Sequence, residues 1–196
     1  MRVSRAQADA NREHIIETAG MLFREKGFDG IGVNDLMKAA GLTRGGFYGH
    51  FESKQDLIAQ ACRKALLGNL QFWRRQVSQP SGLTNLVSQY LSEPHRKNPA
   101  QGCTLASLAA ESARQAPAVK AEFSRGLEDF LAVLEQQSQL DDQPQRRQQA
   151  MAQLALMVGA QVLARAVDDD TMSAELLQAS ASAVLDGLPG GVRPSE

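Results

Sequence analysis

The chain has 196 residues, of which 43% are hydrophobic and 22% charged, a balance that supplies a buried core and excludes a disordered chain. No apolar run approaches the ~18 residues of a membrane span, Met1 to Arg12 is too polar for a secretory signal, and two cysteines, Cys62 and Cys103, cannot form a multi-bridge framework. Net charge is −1 but uneven: residues 1–75 carry 12 Lys/Arg against 8 Asp/Glu, and residues 76–196 carry 9 against 14.

Helical periodicity dominates, and no stretch alternates convincingly with period two. The first helix is expected over residues 12–26, with Ile15, Ile16, Ala19, Leu22 and Phe23 on one stripe and Gly27 closing it. A short helix follows from Val33 to Ala40, and Gly41 ends it. A shorter segment spans Arg44 to His50, after which Ser53 caps a long helix to about Gln76, with Asp56 placed as in a capping box. Further helices are expected over 83–92, 101–114, 117–138, 145–167 and 172–187. Met151 to Val167 is apolar on nearly every side, interrupted only by Gln153, Gln161 and Arg165. Such a helix is either buried twice, by its own core and by a second subunit, or is the central core helix of a monomer. The last helix places Leu177, Ala181, Val184 and Leu188 on one face.

The informative stretch is residues 27–57. Two short helices joined at Ala40-Gly41-Leu42-Thr43 have the proportions of a helix-turn-helix. Gly41 suits the left-handed conformation that the turn demands, and Thr43 is placed to N-cap the next helix through its hydroxyl. Phe47 and Phe51, four apart, form an inward stripe, while Gly45 and Gly49 form one without side chains. Glycines in so short a helix cost roughly 1 kcal/mol each relative to alanine. That cost fits a surface that something approaches closely, such as a nucleic-acid groove, and the plainer alternative is a glycine-rich loop. A basic first third fits a polyanion partner as well as it fits a solvated face.

Together, Ala40-Gly41-Leu42-Thr43-Arg44-Gly45, Phe47-Tyr48-Gly49-His50-Phe51, Ser53-Lys54 and Leu57, with Phe23 and Gly27-Phe28 upstream, resemble the DNA-binding domain of the tetracycline-repressor (TetR) family of bacterial regulators. One departure stands at Ile31-Gly32, where the family usually has Thr or Ser, leaving Asn34 or a backbone N–H as the substitute phosphate partner. The resemblance implies roles for seven residues. Thr43 contacts phosphate or caps the helix, Arg44 reads a base edge, and Gly45 and Gly46 let the helix approach the bases. Tyr48 and His50 bond phosphates, and Lys54 adds its charge at the start of the next helix. It also implies an all-α chain, with a three-helix helix-turn-helix domain at residues 1–60 and a larger helical effector-binding and dimerisation domain at 61–196. The expected partners are palindromic operator DNA, a small-molecule effector and a second copy held through the two C-terminal helices. The expected setting is the bacterial cytoplasm. A helical small-molecule-binding or adaptor protein that has lost DNA binding is the rival reading, and an activator a third.

Beyond residue 60 the signature is weaker. Phe123, Leu127, Phe130 and Leu134 run along one face of the 117–138 helix, as core or as pocket lining, and Trp73 and Tyr90 are candidates for the same space. Cys103, after Gly102 at a helix start, is either a small core residue or a thiol whose pKa free N–H groups lower. Cys62 reads as packing. His14, His50 and His95 are dispersed and pair with neither cysteine at a metal-ligand spacing, and no acid/base constellation or phosphate-loop motif survives inspection. Neither an enzyme nor a metal or cofactor site is therefore expected.

Overall fold

A computed structural model describes residues 4–186. All regular structure among them is helical: α1 (Arg5–Lys26), α2 (Val33–Ala39), a 3-10 helix η1 (Arg44–Gly49), α3 (Lys54–Val77), α4 (Gly82–Tyr90), α5 (Glu93–Lys97), a short 3-10 turn η2 (Pro99–Gln101), α6 (Thr104–Ser112), α7 (Pro117–Glu135), α8 (Gln143–Ala166) and α9 (Asp170–Asp186). No helix among the described residues is long and apolar enough to cross a membrane. The chain divides into two compact units, one of residues to Leu70 with Pro99–Leu127, the other of Gln71–Asn98 with residues from Glu128 on.

In the first unit α1 begins seven residues before the expected start at residue 12. Ser4 sets that start, its Oγ accepting from the Gln7 N–H at 3.2 Å. The added turns are largely exposed and carry no apolar stripe, which is why periodicity alone missed them. Ile15, Ile16, Ala19 and Phe23 pack the buried face, joined by Phe28, Leu36, Met37, Phe47, Phe51, Leu57 and Ile58. Ser53 Oγ accepts from the Asp56 N–H at 3.1 Å, as expected. Asp56 returns the bond to the Glu52 N–H at 3.2 Å, one residue upstream of the usual capping box.

The expected helix over 101–114 is shorter, running from Thr104 to Ser112 behind η2, and α5 precedes it. The side chain of Asn69, on α3, serves as its cap: Oδ1 accepts from the Thr104 N–H at 3.0 Å and from Thr104 Oγ1 at 2.9 Å. A cap supplied from another helix leaves no local sequence signal.

In the second unit α8 and α9 lie antiparallel, with Gln153 Nε2 donating to the Val184 carbonyl at 3.1 Å and Ser173 Oγ to the Ala164 carbonyl at 2.9 Å. The polar residues that interrupt α8 point inward. Gln161 is fully buried and donates to the Tyr90 carbonyl. Arg165 donates to the carbonyls of His95 (2.9 Å) and Arg96 (3.2 Å). The outward arc is apolar, with Met151, Ala155, Val162, Leu163 and Ala166 exposed. On α9, Leu177 and Val184 are buried, and Leu188 lies outside the described residues.

Candidate nucleic-acid interface

Three local features position the motif. The turn after α2 closes with the Leu42 N–H on the Met37 carbonyl (2.8 Å) and the Gly41 N–H on the Lys38 carbonyl (3.0 Å). Gly41 holds φ +68°, the left-handed conformation that glycine accepts without a Cβ penalty. The rings of Phe47 and Phe51, 5.5 Å apart and both buried, then fix η1 to the core. Arg12, on α1, adds its guanidinium 5.5 Å over the Phe51 ring and hydrogen-bonds Gln60, tying α1 to α3 behind that pair.

With Phe47 and Phe51 turned inward, the rest of the segment faces out. Thr43, Arg44, Gly45 and Gly49 are exposed, and Tyr48 is 69% exposed with its ring edge-on to Phe47 at 5.2 Å. This rules out Tyr48 as core packing. Gly46 and His50 are half-buried, and the His50 N–H closes η1 on the Phe47 carbonyl at 2.9 Å. A Cβ added at Gly45 or Gly49 would meet nothing within 4 Å, so no packing inside the chain requires glycine there. The Arg44 side chain makes no hydrogen bond or ion pair among the described residues.

Two expected details differ. Thr43 occupies the N-cap position of η1, but its hydroxyl makes no capping hydrogen bond; the first bond is backbone to backbone, the Gly46 N–H on the Thr43 carbonyl at 3.1 Å. A 3-10 turn closes on i+3, which draws the N–H groups away from the side-chain oxygen that would cap an α-helix. Lys54 is at the start of α3, yet it is half-buried and its Nζ donates to the Phe28 carbonyl at 2.5 Å. Two of its three donors stay available. At the family departure, Ile31 is buried in the core, while Asn34 is exposed in the first turn of α2 beside an N-cap, Gly32, that offers no side chain.

The effector candidates fall into both units. Trp73, Tyr90 and Phe130 converge in the second, with Trp73 4.7 Å from Phe130 and 5.7 Å from Tyr90. His95 stacks on Tyr90 at 4.7 Å, its Nδ1 2.6 Å from the Tyr90 carbonyl, and burial pushes the imidazole pKa down. Gln161 Oε1, buried beside that carbonyl, has no hydrogen-bond partner among the described residues. Cys103, Phe123 and Leu127 belong to the first unit. Phe123 is buried, but Leu127 is 42% exposed and lies off the stripe. The buried positions of α7 include Val119, Phe123, Gly126, Phe130, Leu131, Val133 and Leu134, and at Gly126 a Cβ would stand 3.0 Å from Leu66. Cys103 is buried at the N-cap of α6, where Asn69 already occupies the Thr104 N–H, one of the N–H groups at that helix start. Burial drives the Cys62 thiol up to about 12, in keeping with a packing role.

Comparison with known proteins agrees with this geometry. Residues 15–61 match the family model described as "Bacterial regulatory proteins, tetR family". The HTH-type transcriptional regulator AcrR of Shigella flexneri is 37% identical over 59 residues, 30% of this chain and 27% of that protein. The HTH-type transcriptional repressor DhaR of Mycobacterium sp. (strain GP1) is 25% identical over 122 residues, 61% of each. The matched stretch thus spans less than two thirds of these relatives. Among solved structures, the reduced form of Escherichia coli NemR superposes with a TM-score of 0.77 at 22% identity, covering 90% of this chain and 96% of that one. A TetR-family regulator from Cytophaga hutchinsonii gives 0.77 at 21%, covering 95% and 98%. These show a shared all-helical fold.

Proposed function

We propose that the chain is a member of the tetR family of bacterial regulatory proteins, whose model residues 15–61 match, and on that premise that it is a dimeric transcriptional repressor that binds a palindromic operator and is released by a small-molecule effector. Its activity is regulatory rather than enzymatic, exercised on chromosomal DNA in the bacterial cytoplasm. Residues 1–60 are the DNA-binding domain and residues 61–196 the effector-binding and dimerisation domain. The observation that carries the reading is the outward surface of η1: the Arg44 side chain unengaged among the described residues, Tyr48 projecting, and two glycines over open space, all on a buried Phe47–Phe51 base.

Arg44 reads a base edge, to which a guanidinium bonds bidentately in the major groove. Gly45 and Gly46 admit the helix to the bases. Thr43, Tyr48, His50 and Lys54 contact phosphates, with Asn34 in support at the start of α2. The dimer forms through α8 and α9: the outward apolar arc of α8 includes Met151, Val162 and Leu163, and Met172 and Leu185 are exposed on the two flanks of α9. Inward-facing Gln153, Gln161 and Arg165 leave that arc uninterrupted, which favours a helix covered by a partner over the core helix of a monomer.

The effector-site candidates are Trp73, Tyr90 and Phe130 in the second unit and, separately, Cys103, Phe123 and Leu127 in the first. Effector release needs only that the ligand bind the DNA-incompetent spacing of the two reading heads better than the competent one. The test is enrichment of duplexes from a random-sequence library, followed by a gel shift on the enriched DNA across a salt series. Enrichment of a two-fold symmetric sequence with a steep salt dependence is expected; recovery of no DNA refutes the function and leaves the adaptor reading.

A further inference from the structure

A side chain outside the matched residues 15–61 grips the DNA-facing segment from behind. Phe28 follows Gly27 in the turn between α1 and α2, its ring buried edge-on to Phe23 at 5.6 Å. Its backbone groups are held by two different helices. The N–H donates to Glu111 Oε2, in the last turn of α6, at 2.8 Å. The carbonyl accepts from Lys54 Nζ, at the start of α3, at 2.5 Å. Gly27 makes room for this, because a Cβ there would stand 2.6 Å from Glu111 Oε1, and its φ of +77° disfavours any other residue. A parallel tie joins Gln55 Nε2 to Gln115 Oε1 at 3.0 Å, just beyond α6. The far end of α6 is fixed by Asn69, so the helix is anchored at both termini.

We infer that Glu111 is a positioning residue for DNA binding: through the Phe28 backbone it holds the α1–α2 turn, and with it the Lys54 ammonium, where Lys54 meets a phosphate. The inference rests on the DNA-binding function proposed above. Glu111 acts through Phe28 and Lys54 rather than by touching DNA itself. Its carboxylate accepts the Phe28 N–H, which would otherwise lack an acceptor, and the neighbouring carbonyl then presents a fixed anchor to Lys54. The ammonium keeps two donors for phosphate while its third is held by the protein. Such preorganisation lowers the ordering cost of the bound state.

The experiment is a double-mutant cycle on the full chain, using a duplex that the wild type enriches from a random-sequence library. Affinity is measured by fluorescence anisotropy at several salt concentrations for wild type, E111A, E111Q, K54A and E111A/K54A. E111A is expected to weaken binding roughly 2- to 30-fold and to flatten the salt slope as K54A does. E111Q, whose amide oxygen still accepts from Phe28, should bind like wild type. In the K54A background, E111A should cost little more. A folded E111A that binds like wild type, or losses that simply multiply in the double variant, overturns the inference. If E111A does not fold, E111D, with its carboxylate drawn back by one methylene, takes its place in the cycle with the same two outcomes. Failure of the wild type to enrich any DNA overturns the function and this inference together; wild-type binding beside an unaffected E111 variant overturns this inference alone.

Discussion

Arg44 and Lys54 are both cations of the segment proposed to read DNA, but their surroundings differ and so do the expected consequences of removing them. The Arg44 side chain is exposed and unengaged among the described residues, so Arg44→Ala should leave folding intact, cost about 1–3 kcal/mol per half-site and relax preference at one base pair. Lys54 holds the Phe28 carbonyl, so Lys54→Ala should lower the thermal midpoint as well as weaken binding to operator and scrambled DNA alike. Its salt slope should flatten by roughly one unit per lost phosphate contact. Anisotropy on both DNAs with a parallel melting curve separates the two; exchanged phenotypes would reverse the roles. The glycines give a sharper contrast. Because a Cβ at Gly45 or Gly49 meets nothing within 4 Å among the described residues, Gly45→Ala and Gly49→Ala should hold or raise stability, by up to about 1 kcal/mol, while weakening DNA binding. Loss of stability in step with affinity would instead assign the glycines to the fold. At this scale the sequence was read well where one residue decides its own conformation or face, as at Gly41, Phe47 and Phe51. It was read poorly where the partner is distant: Glu111 lies 83 positions from Phe28, and no local pattern joins them.

Among the elements, α8 has the clearest consequence. Its hydrophobic residues outnumbered what one face can hold, which periodicity exposed, but the sequence could not say where Gln153, Gln161 and Arg165 point. The structure turns them inward onto backbone carbonyls, a use of polar side chains that a hydropathy pattern does not anticipate. Leu163, 55% exposed on the opposite side, is therefore the residue to charge. Leu163→Glu should leave each protomer folded, give a monomer by light scattering and reduce operator affinity by several orders of magnitude, since each half-site is then bound alone. A dimeric Leu163→Glu protein would place the interface elsewhere. The boundaries of α1 and α6 were illegible for a related reason. Ser4 and Asn69 set them through hydrogen bonds, without any apolar stripe to announce the ends.

For the molecule as a whole, titration of a buried imidazole links stability to pH. Burial holds His95 below its ordinary value of 6.5, Arg165 acts in the same direction, and the hydrogen bond with the Tyr90 carbonyl opposes both. The native state thus favours the neutral ring, while the unfolded chain binds the proton near 6.5. Stability contributed at neutral pH should drain away as pH falls below that value and level off once the native ring also protonates. Urea midpoints between about pH 8 and pH 5 should therefore decline for wild type and decline less for His95→Gln; parallel curves would acquit His95. The uneven charge, basic in residues 1–75 and acidic beyond, belongs to the same scale: under the DNA-binding function proposed above it would orient the basic end toward a polyanion.

The outward arc of α8 also makes the amount of protein a variable. If Met151, Val162 and Leu163 leave water only when two chains meet, mass action ties folding to pairing, and the melting temperature should climb as the protein is concentrated. In a dividing cell the same law has a regulatory side. Below the dimer dissociation constant, the species able to span both half-sites grows with the square of the number of chains, so a twofold dilution of the regulator removes about three quarters of it. Silencing would then lapse abruptly at low copy number rather than fade in proportion, giving the gene it controls a threshold even when no inducer is present.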